Sequence, residues 1–564
     1  MPSLTLKIER LEKLVGKELN IDDLQYDLQW IGLDVDDINE QEKEIKIEYN
    51  PNRPDYSSPE GIARSLKGYY NLELGLPKFQ VNEGTERINV SPKVRKIRPF
   101  VVGGIIRDID LDEDQVGTLM NIQEALHWAL GRDRKKVAIG IHDYDQVKGP
   151  YIYTTVKPEG VKFRPLHMEA FEMTPKEILE EHEMGIRYAH LIKDAEEYPI
   201  IYDAEGKVVS LPPIINGVYT TVTDKTKNLL LDLTGTDFNA VNYSLNIIAT
   251  TFADMGAKLE TLNVVYDDKP DEILKVPNLS ARKMQVHIDF INSYIGLKLT
   301  ANDIIKYLRK VRLEASTTKN KNILNVKIPA YRVDFMHEVD IVEEVAIGYG
   351  YQNLTPVVKE GGFGKYHPAE VFANLTRDIM IGAGCLEMVN STLSSQKDYE
   401  KLGLKFDEKE KIILSNPVSE QFNTTRENLL VGLMKNLAFN RSAEKPFKLF
   451  EVGDILLLDR KKDNRARREL HLASITLSEH ADYSEIKSLL DHYFRTLGIL
   501  DDIDIKPILH PTFIKGRTGE IYYRKKKIGL IGEIYPQVII NFGLSYPVAA
   551  FEINLMPFFK DHEE

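Results

Sequence analysis

Two stretches of this chain, one near its start and one near its middle, vary a single pattern, so any fold must build that pattern twice. Arg53-Pro54-Asp55-Tyr56 corresponds to Arg332-Val333-Asp334-Phe335, Gly68-Tyr69 to Gly348-Tyr349, and Asn71-Leu72 to Asn353-Leu354 with two more residues inserted. In each copy a strand ends near a proline and a helix follows. Ile45, Ile47 and Tyr49 alternate as a half-buried strand in the first copy, and Val326 and Ile328 do so before Pro329 in the second. Ser58 followed by Pro59 reads as an N-cap with proline at the first helical position. Two small α/β modules of one build are therefore expected.

The second copy adds acids. A helix is predicted from Asp340 to about Tyr349, with Val342, Val345, Ala346 and Tyr349 on one buried face. Asp340, Glu343 and Glu344 fall on the opposite face, Asp334 lies in the turn that feeds the helix, and nothing basic on the helix neutralises them. Two readings fit this spacing. One is a solvated acidic face, with acids favoured near a helix N-terminus. The other is a set of hard oxygen ligands for a divalent cation such as Mg²⁺. Asp55 matches Asp334, so an aspartate there can serve the turn. Glu343 and Glu344 face Ala63 and Arg64, or Arg64 and Ser65, so the acidic face belongs to the second copy only, as an added site would.

A chain of 564 residues is long enough for three to five domains. Residues 80–98 are polar and charged and read as a linker. From Phe100 a new unit begins with a strand, a helix through NIQEALHWALG, and a basic cluster of Arg132, Arg134, Lys135 and Lys136 before VAIGIHD. That cluster reads as a solvated loop or as a phosphate contact in RNA. Short strands are predicted at 151–156, 208–211 and 229–233. Around the turns between them Ser210, Asn216, Asp232, Thr234 and Thr236 gather small polar groups, which could line a pocket for water and a small polar substrate or simply bond the local backbone. No nucleophile–base pair is evident, so chemistry there would rest on positioning.

The charged residues 270–276 read as the opening of the next domain, which carries a capping-box-like Thr300–Asp303 start. Beyond Pro356 a helix over 369–382, a strand at EMVNSTL, paired strands at FKLFEVGDILLL and ELHLASITLSE, a helix over 484–497 and further antiparallel strands predict an α+β unit. The tip DRKKDNRARR, with Arg460, Lys461, Lys462, Arg465, Arg467 and Arg468, reads as solvated or as meeting RNA or an acidic partner.

One cysteine, Cys385, rules out an intrachain disulfide and a cysteine metal site, and fits a reducing cytoplasm. No signal peptide and no membrane span are expected. A net charge of −13 argues against a general nucleic-acid coat, though not against a local basic surface. There is no Walker A loop, no GxGxxG opening a helix, no HExxH, no CxxC and no G-x-S-x-G elbow. The sequence holds no self-contained catalytic centre.

Seven segments, in order over nearly the whole chain, carry a resemblance: NPNRPDYSSPEGIARSLKGYY (50–70), RKKVAIGIHD (134–143), LPPIIN (211–216), YRVDFMHEVDIVEEVAIGYGY (331–351), NPVSEQFNTTRENLLVGLMKNL (416–437), KLFEVGD (448–454) and IGLIGEIYP (528–536). The chain resembles beta subunits of phenylalanyl-tRNA synthetase of the archaeal and eukaryotic type. The resemblance implies an α+β multidomain fold: a first module at 1–95, an editing-like domain at 96–268, a second module at 270–355, and a class II synthetase-like antiparallel core at 356–564. It implies Mg²⁺ at Asp334, Asp340, Glu343 and Glu344, and an editing pocket at Ser210, Asp232 and Thr234 that hydrolyses mischarged Tyr-tRNA(Phe). FKLFEVGDI and NFGLSYPVAAFEI have no arginine to place on ATP phosphates, so no aminoacylation residue is expected here and the core reads as catalytically silent.

The expected function is therefore that of the beta subunit of a cytoplasmic phenylalanine–tRNA ligase, an α₂β₂ enzyme that consumes ATP, charges tRNA(Phe) through its alpha subunit and edits on this chain. The rivals are a non-catalytic RNA-binding scaffold with a relict synthetase core, which the missing arginines favour, and a free-standing aminoacyl-tRNA hydrolase.

Overall fold

The alternation at Ile45, Ile47 and Tyr49 builds the middle of a three-stranded antiparallel sheet, in which Glu44–Tyr49 runs between Ser3–Lys7 and Leu33–Asn39. The second copy repeats it, with Ile323–Ile328 between Arg282–His287 and Glu314–Thr317. Local capping follows the sequence: Asn20 starts the helix Ile21–Gln29, Ser58 starts Pro59–Tyr69, and Thr300 with Asp303 forms a capping box for Ala301–Lys310. The computed structural model describes residues 2–168, 171–357 and 361–559; Met1, 169–170, 358–360 and 560–564 lie outside them. The chain divides into two units, 1–357 and 358–564.

The paired glycines of the repeat have one common use. A Cβ on Gly68 would stand 2.0 Å from the Lys310 carbonyl oxygen, and one on Gly348 would stand 2.2 Å from that of Tyr307. Both acceptors belong to the helix Ala301–Lys310, so equivalent helices of the two copies close on the same third helix through equivalent glycines. Backbone oxygens cannot swing aside as side-chain tips do. Gly348→Ala is therefore expected to cost about 1–3 kcal/mol or more, read as a lowered melting temperature of the first unit; an unchanged one would contradict this packing.

Between the modules lies an eleven-stranded sheet. Its order from one edge is Ile215–Asn216, Val208–Leu211, Tyr198–Tyr202, Tyr151–Val156, Arg87–Val90, Lys258–Tyr266, Phe100–Arg107, Leu229–Gly235, Val137–Asp143. Val81–Asn82 and Ile273–Val276 pair with Lys258–Tyr266 beside this path. This corrects two readings: 80–98 is not a linker, and 270–276 is the tail of this sheet rather than the start of the next domain. The strand RINV buries only Ile88 and Val90, too few apolar positions to stand out in a charged stretch. The helix Phe238–Asp254 packs Val241, Leu245, Ile248 and Phe252 into the same core as Leu231 and Leu233. Arg64 of the first module pairs with Asp254 and stacks 4.2 Å from the Tyr331 ring centroid.

The second unit is a seven-stranded sheet ordered Leu386–Glu387, Phe447–Leu458, Ala466–Leu477, Val548–Asn554, Lys526–Ile534, Phe513–Tyr523, Ile503–Pro507, antiparallel beyond its first pair. Alternation splits its core: Leu449 and Ile455 face the helix Leu430–Phe439, while Phe450 and Val452 face Pro368–Gly382 and Tyr483–Thr496. The stretch EMVNSTL, expected as one strand, forms only Leu386–Glu387 and Leu393–Ser394 at its ends, because Asn390 turns its side chain to Glu451. Among the described residues no helix is long and apolar enough to cross a membrane.

Candidate functional site

The strand Leu229–Gly235 is buried along its whole length between two antiparallel neighbours, which place Gly103 and Gly140 beside Asp232. Asp232 and Thr234 point to one face, as residues two apart on a strand do. Gly140 leaves the space they need: a Cβ there would lie 2.7 Å from Asp232 Oδ2 and 2.6 Å from His142 Nε2. Asp232 Oδ2 accepts from Ser210 Oγ at 3.0 Å and lies 2.8 Å from His142 Nε2. His142 Nδ1 is 2.8 Å from Thr220 Oγ1. This chain of four side chains is inside the protein; His142 is fully buried.

The basic cluster at 132–136 does not act as one patch. Arg132, Asp133 and Arg134 take positive φ of 49°, 55° and 64°, a conformation disfavoured for side-chain-bearing residues. That bend turns Arg134 inward while Arg132 and Lys135 stay exposed and Lys136 pairs with Asp237 at 2.9 Å. Arg134 Nη1 donates to the Ile214 carbonyl at 3.0 Å and Nη2 to Glu124 at 3.1 Å, with the guanidinium over the Tyr188 ring. Burial pushes His127 below its usual range, so the ring is neutral near pH 7. Its Nε2 accepts from the Ile139 amide at 2.9 Å, which leaves Nδ1–H to face Glu124 at 3.3 Å.

These residues wall a cavity of about 340 Å³, within the range of small-molecule sites. Ser210, Asp232 and Thr234 all line it, as do Arg134, His127 and Asn216. Thr236 does not; it is exposed and donates to the Lys135 carbonyl at 3.2 Å. Sequence reasoning missed His142 and His127, and it placed Arg134 in a solvated or RNA-facing cluster rather than at the cavity. The first was legible in principle, since VAIGIHD alternates like a strand that could pair with the one carrying Asp232.

The acidic face of the second module is organised differently from the expectation. The helix begins earlier, at Glu338, with His337 as N-cap, and Asp340 accepts from the Met336 and His337 amides at 2.6 and 2.7 Å as a capping residue. Glu344 is buried, not on a solvated face, and pairs with Arg332. Arg332 also holds Asp334 by two bonds of 2.9 and 2.6 Å, and Arg53 holds Asp55 in the same way at 2.9 and 2.8 Å. The acids are thus neutralised in part, from the turn rather than from the helix. Burial works against ionisation of Asp334, but Arg332 outweighs it and holds the carboxyl below its usual range. Glu343 is exposed; partial burial and then the charges of Glu344, Asp334 and Asp340 push it up. Among the described residues no group of three or more His, Cys, Asp or Glu is arranged to hold a metal ion.

A larger cleft of about 1140 Å³ lies in the second unit. At its floor His471 sits between Glu552 at 2.8 Å and Glu469 at 3.3 Å. Burial alone would lower this imidazole, but the two carboxylates outweigh it and raise it to about 9. At the tip beside the cleft, Arg460 donates to the Lys409 carbonyl, Arg467 pairs with Glu469 and Arg468 with Asp454, while Lys461, Lys462 and Arg465 are exposed.

Three described families match along the chain: "B3/4 domain" over residues 113–252, "tRNA synthetase B5 domain" over 284–351, and "Phenylalanyl tRNA synthetase beta chain CLM domain" over 352–555. The Phenylalanine–tRNA ligase beta subunit of Methanocaldococcus jannaschii is 40% identical over 561 residues, covering 98% of this chain and 100% of that protein. That of Archaeoglobus fulgidus is 38% identical over 566 residues and covers 100% of both. A crystal structure of an N-terminal fragment of the phenylalanyl-tRNA synthetase beta-subunit from Pyrococcus horikoshii superposes with a TM-score of 0.59 at 37% identity, covering 62% of this chain and 99% of that fragment.

Proposed function

The chain belongs to the phenylalanine–tRNA ligase beta-subunit family, and from that premise we propose that it works with an alpha subunit in an α₂β₂ assembly that charges tRNA(Phe) with phenylalanine at the expense of ATP, while this chain hydrolyses mischarged Tyr-tRNA(Phe). The observation that carries the hydrolytic part is the convergence of the buried Ser210, Asp232 and Thr234 on one cavity. Tyrosine differs from phenylalanine by one hydroxyl, which an apolar synthetic pocket rejects weakly and a hydrogen-bonding second pocket can select. Hydrolysis adds water across the ester that joins the amino acid to the terminal ribose. Asp232 and Ser210 supply acceptors that orient a donor group, and Arg134 supplies positive charge at the wall. The editing-like domain of 96–268 then takes in the strands at 81–90 and 273–276, which ends the first module before 81 and begins the second after 276.

The second unit, 358–564, takes the part expected of 356–564, that of a class II synthetase-like core without adenylate chemistry. Its buried Arg426 is committed to Glu451 and to the carbonyls of Asp454 and Asn390, and in its cleft Arg467 and His471 are held by Glu469 and Glu552. Its apolar exposure supports a partner: Val371, Leu375 and Ile381 on one helix, with Val389 and Phe439 about nine-tenths exposed. Contiguous apolar surface marks an interface, and we take the alpha subunit as the occupant of the exposed apolar residues of this unit. The full chain alone is expected to catalyse no phenylalanine-dependent ATP–pyrophosphate exchange, and the chain co-expressed with the alpha subunit to catalyse it; exchange by the isolated chain would overturn this division of labour.

The donors at Asp334, Asp340, Glu343 and Glu344 fit Mg²⁺ in kind, being hard oxygens around a glutamate whose ionisation its neighbours oppose. A cation there would relieve that repulsion and would fix this module against its neighbour or the partner subunit, without being needed for the module's own fold. Glu344 is a poor probe, since removing it strands buried Arg332. Glu343→Gln is expected to abolish the rise in melting temperature that Mg²⁺ gives the wild-type chain while leaving the metal-free melting unchanged. An equal Mg²⁺ effect on both proteins would remove Glu343 from the site.

A further inference from the structure

Arg98 is a buried cation with no anion beside it. The residue is 3% exposed, and its guanidinium donates to neutral oxygens: Nε to Thr234 Oγ1 at 2.9 Å, Nη1 to the Lys135 carbonyl at 3.2 Å, and Nη2 to the carbonyls of Arg134 and Thr234 at 3.1 and 2.8 Å. Among the described residues no carboxylate forms an ion pair with it. Burial accordingly pushes it down to about 10, against weaker pulls from Tyr153 and Asp232. Burying a charge is costly unless it is hydrogen-bonded, and these four bonds, made to two segments of the chain, the 134–135 turn and Thr234, hold the fork in one orientation.

That orientation decides what Thr234 can offer. A hydroxyl has one hydrogen. Thr234 Oγ1 accepts from Arg98 Nε–H, so its own hydrogen is left for another acceptor, and among the described residues no protein acceptor takes it. Thr234 lines the cavity, and its hydroxyl is polarised by the cation behind it. Two residues along the same face the polarity reverses. Asp232 Oδ2 takes the Ser210 hydroxyl hydrogen and meets His142. Ser210 Oγ is thereby left as an acceptor, and so is the carboxylate.

We propose that Arg98 is a positioning residue that fixes the Thr234 hydroxyl as a charge-assisted donor into the cavity, so that the site selects a ligand presenting an acceptor oxygen to Thr234 and a donor group to Asp232. This rests on the hydrolytic reading above and deepens it. A tyrosyl ester meets the requirement, with its carbonyl oxygen at Thr234 and its phenolic O–H donor at Asp232, a donor that a phenylalanyl ester lacks. The carbonyl oxygen gains negative charge as water adds, which is where a fixed donor acts most strongly.

The test is single-turnover deacylation of Tyr-tRNA(Phe) by the full chain assembled with its alpha subunit. Thr234→Ser keeps the donor and is expected to stay within about threefold of wild type; Thr234→Val removes it and is expected to be about a hundredfold slower. Arg98→Gln is expected to slow the wild-type background about tenfold and the Thr234→Val background by less than about twofold. Arg98→Lys enters the same cycle should Arg98→Gln fail to fold. An equal slowing by the Arg98 variant in both backgrounds, or a Thr234→Val protein as fast as Thr234→Ser, would overturn the inference. A wild-type protein that leaves Tyr-tRNA(Phe) intact would instead bring down the hydrolytic reading, and the inference with it.

Discussion

Asp232→Ala is expected to slow hydrolysis of Tyr-tRNA(Phe) by on the order of a hundredfold to a thousandfold, the loss typical of removing one fixed polar group from an acyl-transfer site. Asp232 is the hub of the cavity: its Oδ2 receives Ser210 and His142, and glycine at position 140 leaves it room. Its removal leaves the Ser210 hydroxyl without its acceptor and frees His142 to rotate within a site shielded from water. The pocket loses its negative charge and the order of its remaining groups together. In the assembled enzyme, charging with tyrosine would then accumulate Tyr-tRNA(Phe). Equal deacylation by variant and wild type would show that Asp232 is not the group that matters.

His471→Gln is expected to destabilise the second unit by about 3–5 kcal/mol, the cost of breaking a buried ionic cluster by removing one partner. Glu552 and Glu469 would be left together with no imidazolium between them. Glu552 also accepts from the Leu429 and Leu430 amides at 3.0 and 3.3 Å, at the start of a helix whose N-cap residue, Leu429, has no polar side chain to cap it. The damage therefore reaches the helix Leu430–Phe439 and the core it covers. The pH dependence follows in sign. His471 titrates at about 9 in the fold and near 6.5 when unfolded, so its contribution is fully present below about pH 6.5 and is lost as pH rises through about 9. Thermal unfolding of the second unit between pH 6 and 10 should show this decline in the wild type and a flatter profile in His471→Gln. Identical profiles would mean the imidazole is not charged in the fold.

What the sequence carried openly was local and periodic. Strand alternation at Ile45, Ile47 and Tyr49, caps at Asn20, Ser58 and Thr300, and the paired glycines of the repeat each depend on near neighbours. Ser210, Asp232 and Thr234 were legible as a cluster because turns bring them close along the chain. What stayed hidden depends on closure of the fold. Arg332 reaches Glu344 only once the turn packs on the helix, although the shared Arg–x–Asp spacing in both copies already hinted at the Arg332–Asp334 pair. Arg98 meets Thr234 across 136 positions of sequence, with no periodic signal. The strands near 88 and 273 were masked by charge, since four-residue strands need few apolar side chains.

The measurement that bears most directly on the account is deacylation of preformed Tyr-tRNA(Phe) and Phe-tRNA(Phe) by the assembled protein without ATP, so that no recharging occurs. Rapid loss of tyrosine is expected, with Phe-tRNA(Phe) surviving at close to its rate in buffer. Loss of both at one rate, or of neither, would contradict it.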